Sequence, residues 1–509
     1  MAATKINIIG AGVSGLAAGC YLQMNGFQTE IFERHSRSGG LCTSWNKGDY
    51  TFDGCIQWLL GSNDSNPFYR LWSELIDMKS VEFISHEVRM DIELKNNSDK
   101  NGNKIFHLFT NLNKLEDYMI SLSPEDVRPV RQFIRSMRKI QGYEIPPVID
   151  KNPEQLSFTD KLKFIRHLPL LLFLNRWKKI TNYSFAAKFK SPFIREAFEL
   201  FFDGDEMPLL IISLPLAFND KKGTAYPVGG SSAFARRLED KYLSLGGKIN
   251  FNAGVGRIIV ENDMAKGLLL ENGVKSFSDI ILSAADWHYT VFNALDGTYT
   301  DKTILELGSQ TRLPVYYSVV LVSLGISRTF DGHTHFLRFP LEKELVSPDG
   351  TIYQRMEAHI YNYDPTLAPE GKTVISFCFY TKNSDYWINL RKSDYDVYLK
   401  NKTGFSYQVI EIAEKKFGNI LNHVEETDIA TPATFNRYTN NWKGSTQGWL
   451  PGKNLIARSP VRFVLPGLKN FYFSGHWTSP GGGLPVAIKS ARDVVQMICR
   501  KEKVKFRVP

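Results

Sequence analysis

The sequence lacks the features that mark most secreted, disulfide-linked and membrane-spanning proteins. Its five cysteines are odd in number and include no CxxC pair, which argues against a disulfide framework or a zinc site and favours a reducing compartment. No stretch contains the roughly 18 uninterrupted apolar residues of a spanning helix, and no charged segment followed by an apolar signal opens the chain. We therefore expect a cytoplasmic protein without a metal site.

Long runs of like charge, internal repeats and low-complexity tracts are absent as well. Lys and Arg number 62 against 53 Asp and Glu, and no part of this +9 excess resembles a nucleic-acid-binding arm, so we expect no nucleic-acid partner. An anionic lipid surface or an anionic cofactor explains the excess as well as nucleic acid would, and solubility alone is a further explanation. A hydrophobic content of 43% is typical of a globular protein, and 509 residues exceed what one small core organises, so two or more domains are expected.

What the sequence does contain begins with residues 5–34, whose pattern predicts a strand, a tight turn, a helix and a second strand of a buried parallel sheet. Gly10, Gly12 and Gly15 form a GxGxxG motif at the turn. Gly10 allows the turn, Gly12 lets the backbone approach a pyrophosphate, and Gly15 lets the helix pack closely. The motif therefore predicts a dinucleotide site.

The residues that follow the glycines complete this prediction. Val13 and Ser14 open the helix, whose N-terminus presents free N–H groups and a partial positive charge to phosphates, and we assign both to the cofactor site. Glu33 closes the second strand, 23 residues after Gly10, where its carboxylate can accept both hydroxyl hydrogens of an adenosine ribose.

The segment after Glu33 indicates which dinucleotide binds. Gly39 and Gly40 form a pair that a nicotinamide cofactor does not need, whereas a larger cofactor can be wrapped by such a loop on its far side. Arg37 can add positive charge near phosphate. Arg34 and Leu41 belong to the same segment and are predicted to contact the cofactor too.

This succession of motifs resembles the FAD-dependent oxidoreductases of the amine oxidase superfamily. Four later segments resemble, in the same order, those of the phytoene desaturase, carotenoid isomerase and retinol saturase family. They are "YPVGGS" at 226–231, "NAGVGRIIV" at 252–260, "DPTLAPEG" at 364–371 and "FSGHWTSPGGGLP" at 473–485.

The resemblance implies FAD as the cofactor and an α/β fold. A Rossmann-type FAD-binding domain, with a parallel sheet and a small antiparallel sheet, would accompany a discontinuous α+β substrate domain. The implied boundaries are 1–75, 224–295 and 468–509 for the FAD-binding domain, and 76–223 and 296–467 for the substrate- and membrane-facing domain.

The resemblance also implies how the last motif completes the cofactor site. Val255 would lay its backbone against the adenine, and Gly475 would end the last strand of the parallel sheet. Gly483, Leu484 and Pro485 would open a helix whose N-terminus faces the flavin and stabilises its reduced form, with Pro485 at the first helical position. The glycines at 481–483 would keep side chains off the ring.

One residue departs from the pattern of many flavoproteins, which carry an acid after the glycine equivalent to Gly475. His476 occupies that position here. Two interpretations remain open: the imidazole bonds the cofactor, or it is a packing residue. Cys42, Cys55 and Trp58 should also lie near the flavin, and both cysteines are interpreted as packing residues rather than as catalytic thiols.

The chemistry is narrowed by the absence of a second GxGxxG after a strand, which disfavours the two-dinucleotide arrangement of disulfide reductases. By resemblance, the chain would desaturate, saturate or isomerise C=C bonds of a polyisoprenoid, carotenoid-like or other lipid substrate. Hydride loss from an allylic carbon needs little acid–base assistance, so no catalytic residue is assigned. The electron donor or acceptor stays open.

Residues 157–220 combine basic and apolar side chains with helical spacing, as in "KLKFIRHLPLLLFLNRWKKI". Such a segment is typical of a helix at an anionic membrane surface, with its apolar face in lipid and its cations at the head groups. A core-packing helical subdomain with a basic rim has the same pattern. Family resemblance favours a peripheral membrane protein.

Two alternative functions accompany this hypothesis. A flavin amine oxidase would need an aromatic cage and a lysine–water pair near the flavin, neither of which the sequence locates. A non-catalytic prenyl-lipid escort, as in the Rab escort proteins, would not need the intact Gly10 motif, Glu33 and Gly39-Gly40. These residues favour the enzyme.

Overall fold

The computed structural model describes residues 4–141, 168–202, 204–450 and 461–508. The strands are β1 Lys5–Ile9, β2 Gln28–Phe32, β3 Ser44–Lys47, β4 Tyr50–Asp53, β5 Leu59–Leu60, β6 Phe83–Ile84, β7 Val88–Glu93, β8 Ile105–Phe109, β9 Thr224–Pro227, β10 Lys248–Asn250, β11 Val255–Glu261, β12 Met264–Leu270, β13 Lys275–Phe277, β14 Ile280–Ser283, β15 Ser318–Ile326, β16 Phe336–Val346, β17 Ile352–Ile360, β18 Thr373–Thr381, β19 Val424–Ala430 and β20 Phe471–Phe473.

The α-helices of the same residues, in chain order, are α1 Val13–Met24, α2 Phe68–Ser73, α3 Leu112–Leu122, α4 Val127–Gln141, α5 Leu168–Trp177, α6 Asn182–Ala186, α7 Pro192–Glu199, α8 Leu210–Asn219, α9 Gly230–Ser244, α10 Lys302–Gly308, α11 Ser384–Ser393, α12 Tyr395–Phe417, α13 Pro432–Thr439 and α14 Gly483–Lys501.

A parallel sheet with the strand order β10-β2-β1-β14-β20 forms the centre of one half of the molecule. Strand β1 is central because its "INII" run is apolar enough to be covered on both faces, and Ile6 pairs with both Thr29 and Ile280. A small antiparallel sheet, β11-β12-β13, follows β10 in the chain. The predicted α/β fold with these two kinds of sheet is confirmed.

Three helices, α1, α9 and α14, cover this sheet and share one core. Gly19 permits α1 and α9 to approach, since a Cβ at this position would stand 2.6 Å from the ring of Tyr242. A buried ion pair between Arg492 Nε and Glu74 Oε2, at 2.8 Å, ties α14 to the end of α2. The same carboxylate accepts a hydrogen bond from the Tyr21 hydroxyl of α1 at 2.8 Å. The chain's last helix is thereby anchored to its first.

The other half of the molecule is organised by a mixed sheet with the order β19-β15-β18-β17-β16-β7-β8. Its neighbouring strands are antiparallel except β16 and β7, which run parallel. Helix α12 packs on it through Phe405 and Val409, whereas α4, α7 and α8 share a separate apolar core with β7 and β8. The predicted domain boundaries stay a prediction.

Several local predictions differ from the structure in extent. The helix expected near 403–417 is the later part of the longer α12, and the helix expected from Ser123 begins with a single 3-10 turn at Pro124–Asp126 before α4. In the predicted membrane segment, residues 157–167 and 203 lie outside the described residues, and the rest contains α5 to α8. None of the described helices combines the length and apolar character needed to cross a bilayer.

Candidate functional site

A cavity of about 460 Å³, termed the large cavity, opens where β1 and β2 end. It brings both ends of the described chain together, because Ser14 Oγ lies 3.0 Å from Ser474 Oγ. The predicted site residues that line it are Gly10, Gly12, Val13, Ser14, Glu33, Arg34, Arg37, Gly39, Gly40, Leu41, Val255, Gly475, His476, Gly483 and Leu484. Two predicted residues do not line it: Gly15 and Pro485.

The three motif glycines serve three different purposes. Gly10 has φ +93°, a left-handed conformation that side chains disfavour. A Cβ at Gly15 would stand 1.9 Å from the Gly10 carbonyl oxygen, so this glycine faces the turn rather than the cavity. At Gly12 φ is −70°, and a Cβ would meet nothing closer than 3.9 Å. Neither conformation nor packing requires glycine at 12, which leaves close approach of a ligand as the reason.

The carboxylate of Glu33 is buried and fixed by two backbone donors. Ala11 N donates to Oε2 at 2.7 Å, and His35 N donates to Oε1 at 2.9 Å. Burial raises the pKa of Glu33, while these two N–H groups oppose the shift. Because a carboxylate oxygen can accept more than one hydrogen bond, Oε1 and Oε2 each keep capacity for a further hydroxyl donor, and Glu33 lines the large cavity.

The loop after Glu33 closes over the first turn of the cofactor motif. Gly39 N donates to the Ala11 carbonyl at 2.8 Å, and a Cβ at Gly40 would stand 3.3 Å from the Cα of Gly12. Arg37 Nη1 donates to the Ser44 carbonyl at 3.4 Å. Arg34 forms an ion pair with Glu271 at 3.5 Å, so its charge is partly compensated.

The closing loop differs in detail from its prediction. Helix α14 begins at Gly483, so Pro485 is its third residue and not its first. Gly482 is required by packing against protein, since its Cβ would stand 1.9 Å from the Gln447 carbonyl oxygen. Of the three consecutive glycines, Gly483 alone is among the residues that line the large cavity in the described chain. The idea that all three keep side chains off a ring is therefore wrong for Gly482.

His476 also lines the large cavity, and its Nε2 is buried without a hydrogen-bond partner among the described residues. Burial lowers the pKa of this imidazole to about 4, so the ring is neutral at pH 7 and offers one free nitrogen. A free ring nitrogen at the cavity wall favours cofactor bonding over packing, the two interpretations that the sequence left open.

The loop after β4 is held by the buried Asp53. Its carboxylate accepts hydrogen bonds from Ser231 N at 2.5 Å, Ser231 Oγ at 2.6 Å and Cys55 N at 2.9 Å. Cys42 and Cys55 line the large cavity as expected. Trp58 does not, and instead lines a second, smaller cavity.

Sequence reasoning missed the wall opposite the cofactor motif, which strand β19 and helices α11 to α13 supply together with neighbouring loops. The residues are Arg391, Tyr395, Tyr398, Lys402, Asp428, Ile429, Thr434, Phe435, Arg437, Tyr438, Thr439, Asn440, Asn441 and Thr446. No local motif marks them. Asp286 also lines the large cavity without any mark in the sequence, and burial raises its pKa to about 7.

These features fit a bound dinucleotide. The cavity holds an unexplained glycine at Gly12, free acceptors on Glu33, the N-terminus of α1 and an unpaired nitrogen on His476. A comparison with protein families then matches residues 13–499 to the model described as flavin containing amine oxidoreductase. The chain belongs to this family. It is therefore an FAD-dependent oxidoreductase, as the sequence predicts.

Relatives of this flavin-containing amine oxidoreductase cover it almost entirely. A 4,4'-diapophytoene desaturase of Methylomonas sp. is 25% identical over 100% of this chain and 98% of its own length. A lycopene-forming phytoene desaturase of Paracoccus sp. is 22% identical over 98% and 97%. A chloroplastic prolycopene isomerase of Daucus carota is 24% identical over 94% and 77%.

Solved structures of this type share the fold. An oxidoreductase from Methanosarcina mazei superposes with a TM-score of 0.57 at 18% identity, covering 97% of this chain and 100% of that one. A redesigned putrescine oxidase gives a TM-score of 0.58 at 14% identity, covering 98% and 99%. At these identities the similarity establishes the fold and not the substrate.

Proposed function

We propose that this FAD-dependent oxidoreductase desaturates, saturates or isomerises C=C bonds in a hydrophobic, carotenoid-like polyene. The observation that carries the proposal is the end-to-end similarity to desaturases and to an isomerase whose names specify such polyenes. The amine oxidases among solved structures share the fold at much lower identity.

The chain's own part in this chemistry is binding and orientation. FAD, when bound, supplies the two-electron acceptor or donor for hydride exchange with a substrate carbon. The N-terminus of α14 at Leu484 and the neutral His476 face the large cavity, where they can donate hydrogen bonds to a flavin edge that gains negative charge. We assign no general acid or base, since an allylic hydride can leave without one.

The test is an anaerobic titration of the purified yellow holoprotein, followed by the absorbance of oxidised flavin. We expect a polyene such as 4,4'-diapophytoene in detergent to bleach or perturb this band and putrescine to leave it unchanged. Bleaching by putrescine alone would establish an amine oxidase. A colourless protein that still binds prenylated peptide would establish the escort function.

We also propose that the segment around α5 contacts an anionic membrane. Leu168 and Leu172 are 49% and 61% exposed, and Arg176, Lys178 and Lys179 follow within two turns. Burying one leucine side chain in lipid stabilises the bound state by about 1.5–3 kcal/mol, and each nearby cation adds about 1 kcal/mol.

Co-sedimentation with phosphatidylserine vesicles tests this contact. Leu172→Ser should weaken binding about tenfold or more, because it removes most of one leucine's transfer free energy. The control is Leu243→Ser, whose parent leucine is 45% exposed on α9. Equal binding of both variants would contradict the proposal.

A further inference from the structure

A second cavity, termed the polar cavity, lies beside the large one. Cys55 lines the large cavity and Gln57 lines the polar cavity, so one loop contributes to both walls. The Cα atoms of these two residues can be at most about 7 Å apart. The volume of the polar cavity is about 40 Å³. Since one water needs about 10–15 Å³ of such space, the polar cavity accepts about three waters or a group of about three heavy atoms.

Several buried polar atoms on this wall have no hydrogen-bond partner among the described residues. They are the hydroxyls of Thr224, 2% exposed, and Tyr226, 0% exposed, together with Nε2 of His86. An unsatisfied buried polar group costs about 1–3 kcal/mol. Three such groups around one small cavity need polar molecules, either waters or a polar group of a ligand, to complete their hydrogen bonds.

The wall also carries an uncompensated positive charge. Arg89 donates from Nη1 to Asn219 Oδ1 at 3.0 Å and stacks 4.7 Å from the centre of the Trp58 ring. Among the described residues no carboxylate forms an ion pair with Arg89. Burial lowers the pKa of its guanidinium, but only to about 10. Arg89 therefore stays charged at neutral pH.

The remaining charged and titratable groups do not neutralise Arg89. Burial lowers the pKa of His86 and of His359 to about 4, and that of His335 lies well below its ordinary value, so all three rings are neutral at pH 7. Glu357 is paired with Arg338 and is not available to Arg89. Asp53 and Asp364 help to raise the pKa of Tyr226 but do not line the polar cavity, so Arg89 is the one group charged at pH 7 among the described residues that line it.

We propose that the polar cavity binds the carboxylate end of an elongated apolar substrate whose chain extends toward the flavin. This proposal rests on the proposed function and adds an anionic end group to the substrate class. Arg89 pairs with the carboxylate, while the hydroxyls of Thr224 and Tyr226 and the His86 ring donate the further hydrogen bonds that its oxygens accept.

The observations favour a carboxylate over other end groups. A phosphate, with five heavy atoms, matches a cavity for about three less well than a carboxylate does, and an ammonium group would be repelled by Arg89. A hydroxyl would fit but would not form an ion pair with Arg89. A carboxylate satisfies volume, charge and donors together.

The experiment compares two polyene probes that differ in the end group alone: all-trans-retinoate and its methyl ester. Dissociation constants are measured on the yellow holoprotein by quenching of tryptophan fluorescence. Charged hydrogen bonds contribute about 1.5–3 kcal/mol, so we expect the acid to bind about 10–100-fold more tightly than the ester. Equal affinities, or no binding of either probe, would overturn the proposal.

Two variants and a matched control assign the preference to this cavity. In Arg89→Gln the acid should bind at most about threefold more tightly than the ester. In Thr224→Val, which keeps Arg89, the ratio of the two dissociation constants should fall about fivefold. The control is Arg328→Gln, because Arg328 also stacks on an aromatic ring, at 4.4 Å from Phe330, and donates to a carbonyl oxygen.

An undiminished preference in both cavity variants, or an equal loss in the control, would overturn the carboxylate site. Redox chemistry is read separately: a protein that prefers the acid but shows no response of its flavin to any polyene would contradict the proposed function and leave the binding site standing. Failure of the two proposals is thus distinguishable.

Discussion

The large cavity and the polar cavity share a loop but are built in opposite ways. The large cavity begins from backbone: glycines 10, 12, 39 and 40, the first turns of α1 and α14, and carbonyls that lie close to one another. The polar cavity is built from side chains of histidine, tyrosine, threonine and arginine that lie on strands β7, β9, β16 and β17 or near their ends.

This difference explains what each cavity can recognise. Backbone N–H groups at helix termini bind phosphate in a cofactor whose structure never varies. Side chains can be exchanged one at a time, so the polar cavity can set the specificity for a substrate end group while the cofactor site stays constant. Substitutions in the large cavity should therefore strongly affect flavin binding, and substitutions in the polar cavity should leave it unchanged.

The largest effect should come from Gly12→Glu. The new carboxylate would occupy the space meant for the pyrophosphate and repel it, so we expect retention of FAD to fall at least about a hundredfold. Flavin content per folded protein measures the loss. Gly404→Glu on the exposed face of α12, where no atom lies within 4 Å of a Cβ, is the control and should remain yellow. Full colour in the Gly12 variant would contradict the cofactor assignment.

A smaller effect is expected at the loop that separates the cavities. Asp53→Asn replaces an acceptor oxygen with an amide that faces the donors of Ser231 and Cys55, and should lower the free energy of unfolding by about 2–3 kcal/mol. Urea denaturation measures it. Asp64→Asn, at an exposed position 11 residues later, should change the midpoint little. Similar midpoints for the two variants would show that Asp53 does not hold this loop.

The smallest effect is expected in the polar cavity and has the opposite sign. His86→Phe removes a buried nitrogen without a partner and keeps the stacking on His335 at 3.5 Å, so stability should rise by about 1 kcal/mol with unchanged flavin content. Thermal unfolding measures the gain. His107→Phe should destabilise instead, because His107 Nδ1 lies 2.6 Å from Asp91 Oδ1. A loss of FAD in the His86 variant would mean that the two cavities are not independent.

How much of the site was predictable follows from the same contrast. The roles of Gly10, Gly12 and Glu33 depend on local backbone geometry, which short-range sequence patterns encode. The wall formed by Tyr398 and Arg437 depends on how β19 and its neighbouring helices pack, and one sequence does not reveal such long-range proximity. The closing glycines show the limit within a motif, because Gly482 serves packing against Gln447.

Trp58 is a second residue whose position the sequence pattern does not predict. It follows Cys55 by three residues and was expected at the flavin, yet its ring lies under Arg89 in the polar cavity. The tight turn held by Asp53 redirects the loop, and the sequence pattern gave no sign of which side chain would point to which cavity. The sequence did not predict the polar cavity, because the strands that supply its residues are far apart in the chain and meet only in the folded structure.

The contact between Ser14 and Ser474 joins residues 460 positions apart, so the two sides of the large cavity are synthesised at different times. At about 5–20 residues per second, a ribosome needs roughly 20–90 s to make the intervening polypeptide. Throughout that interval the nascent βαβ unit has its phosphate loop but no partner helix to close it. The wall that Ser474 and the first turn of α14 supply is therefore missing from the cavity until these residues have been synthesised and have folded onto α1.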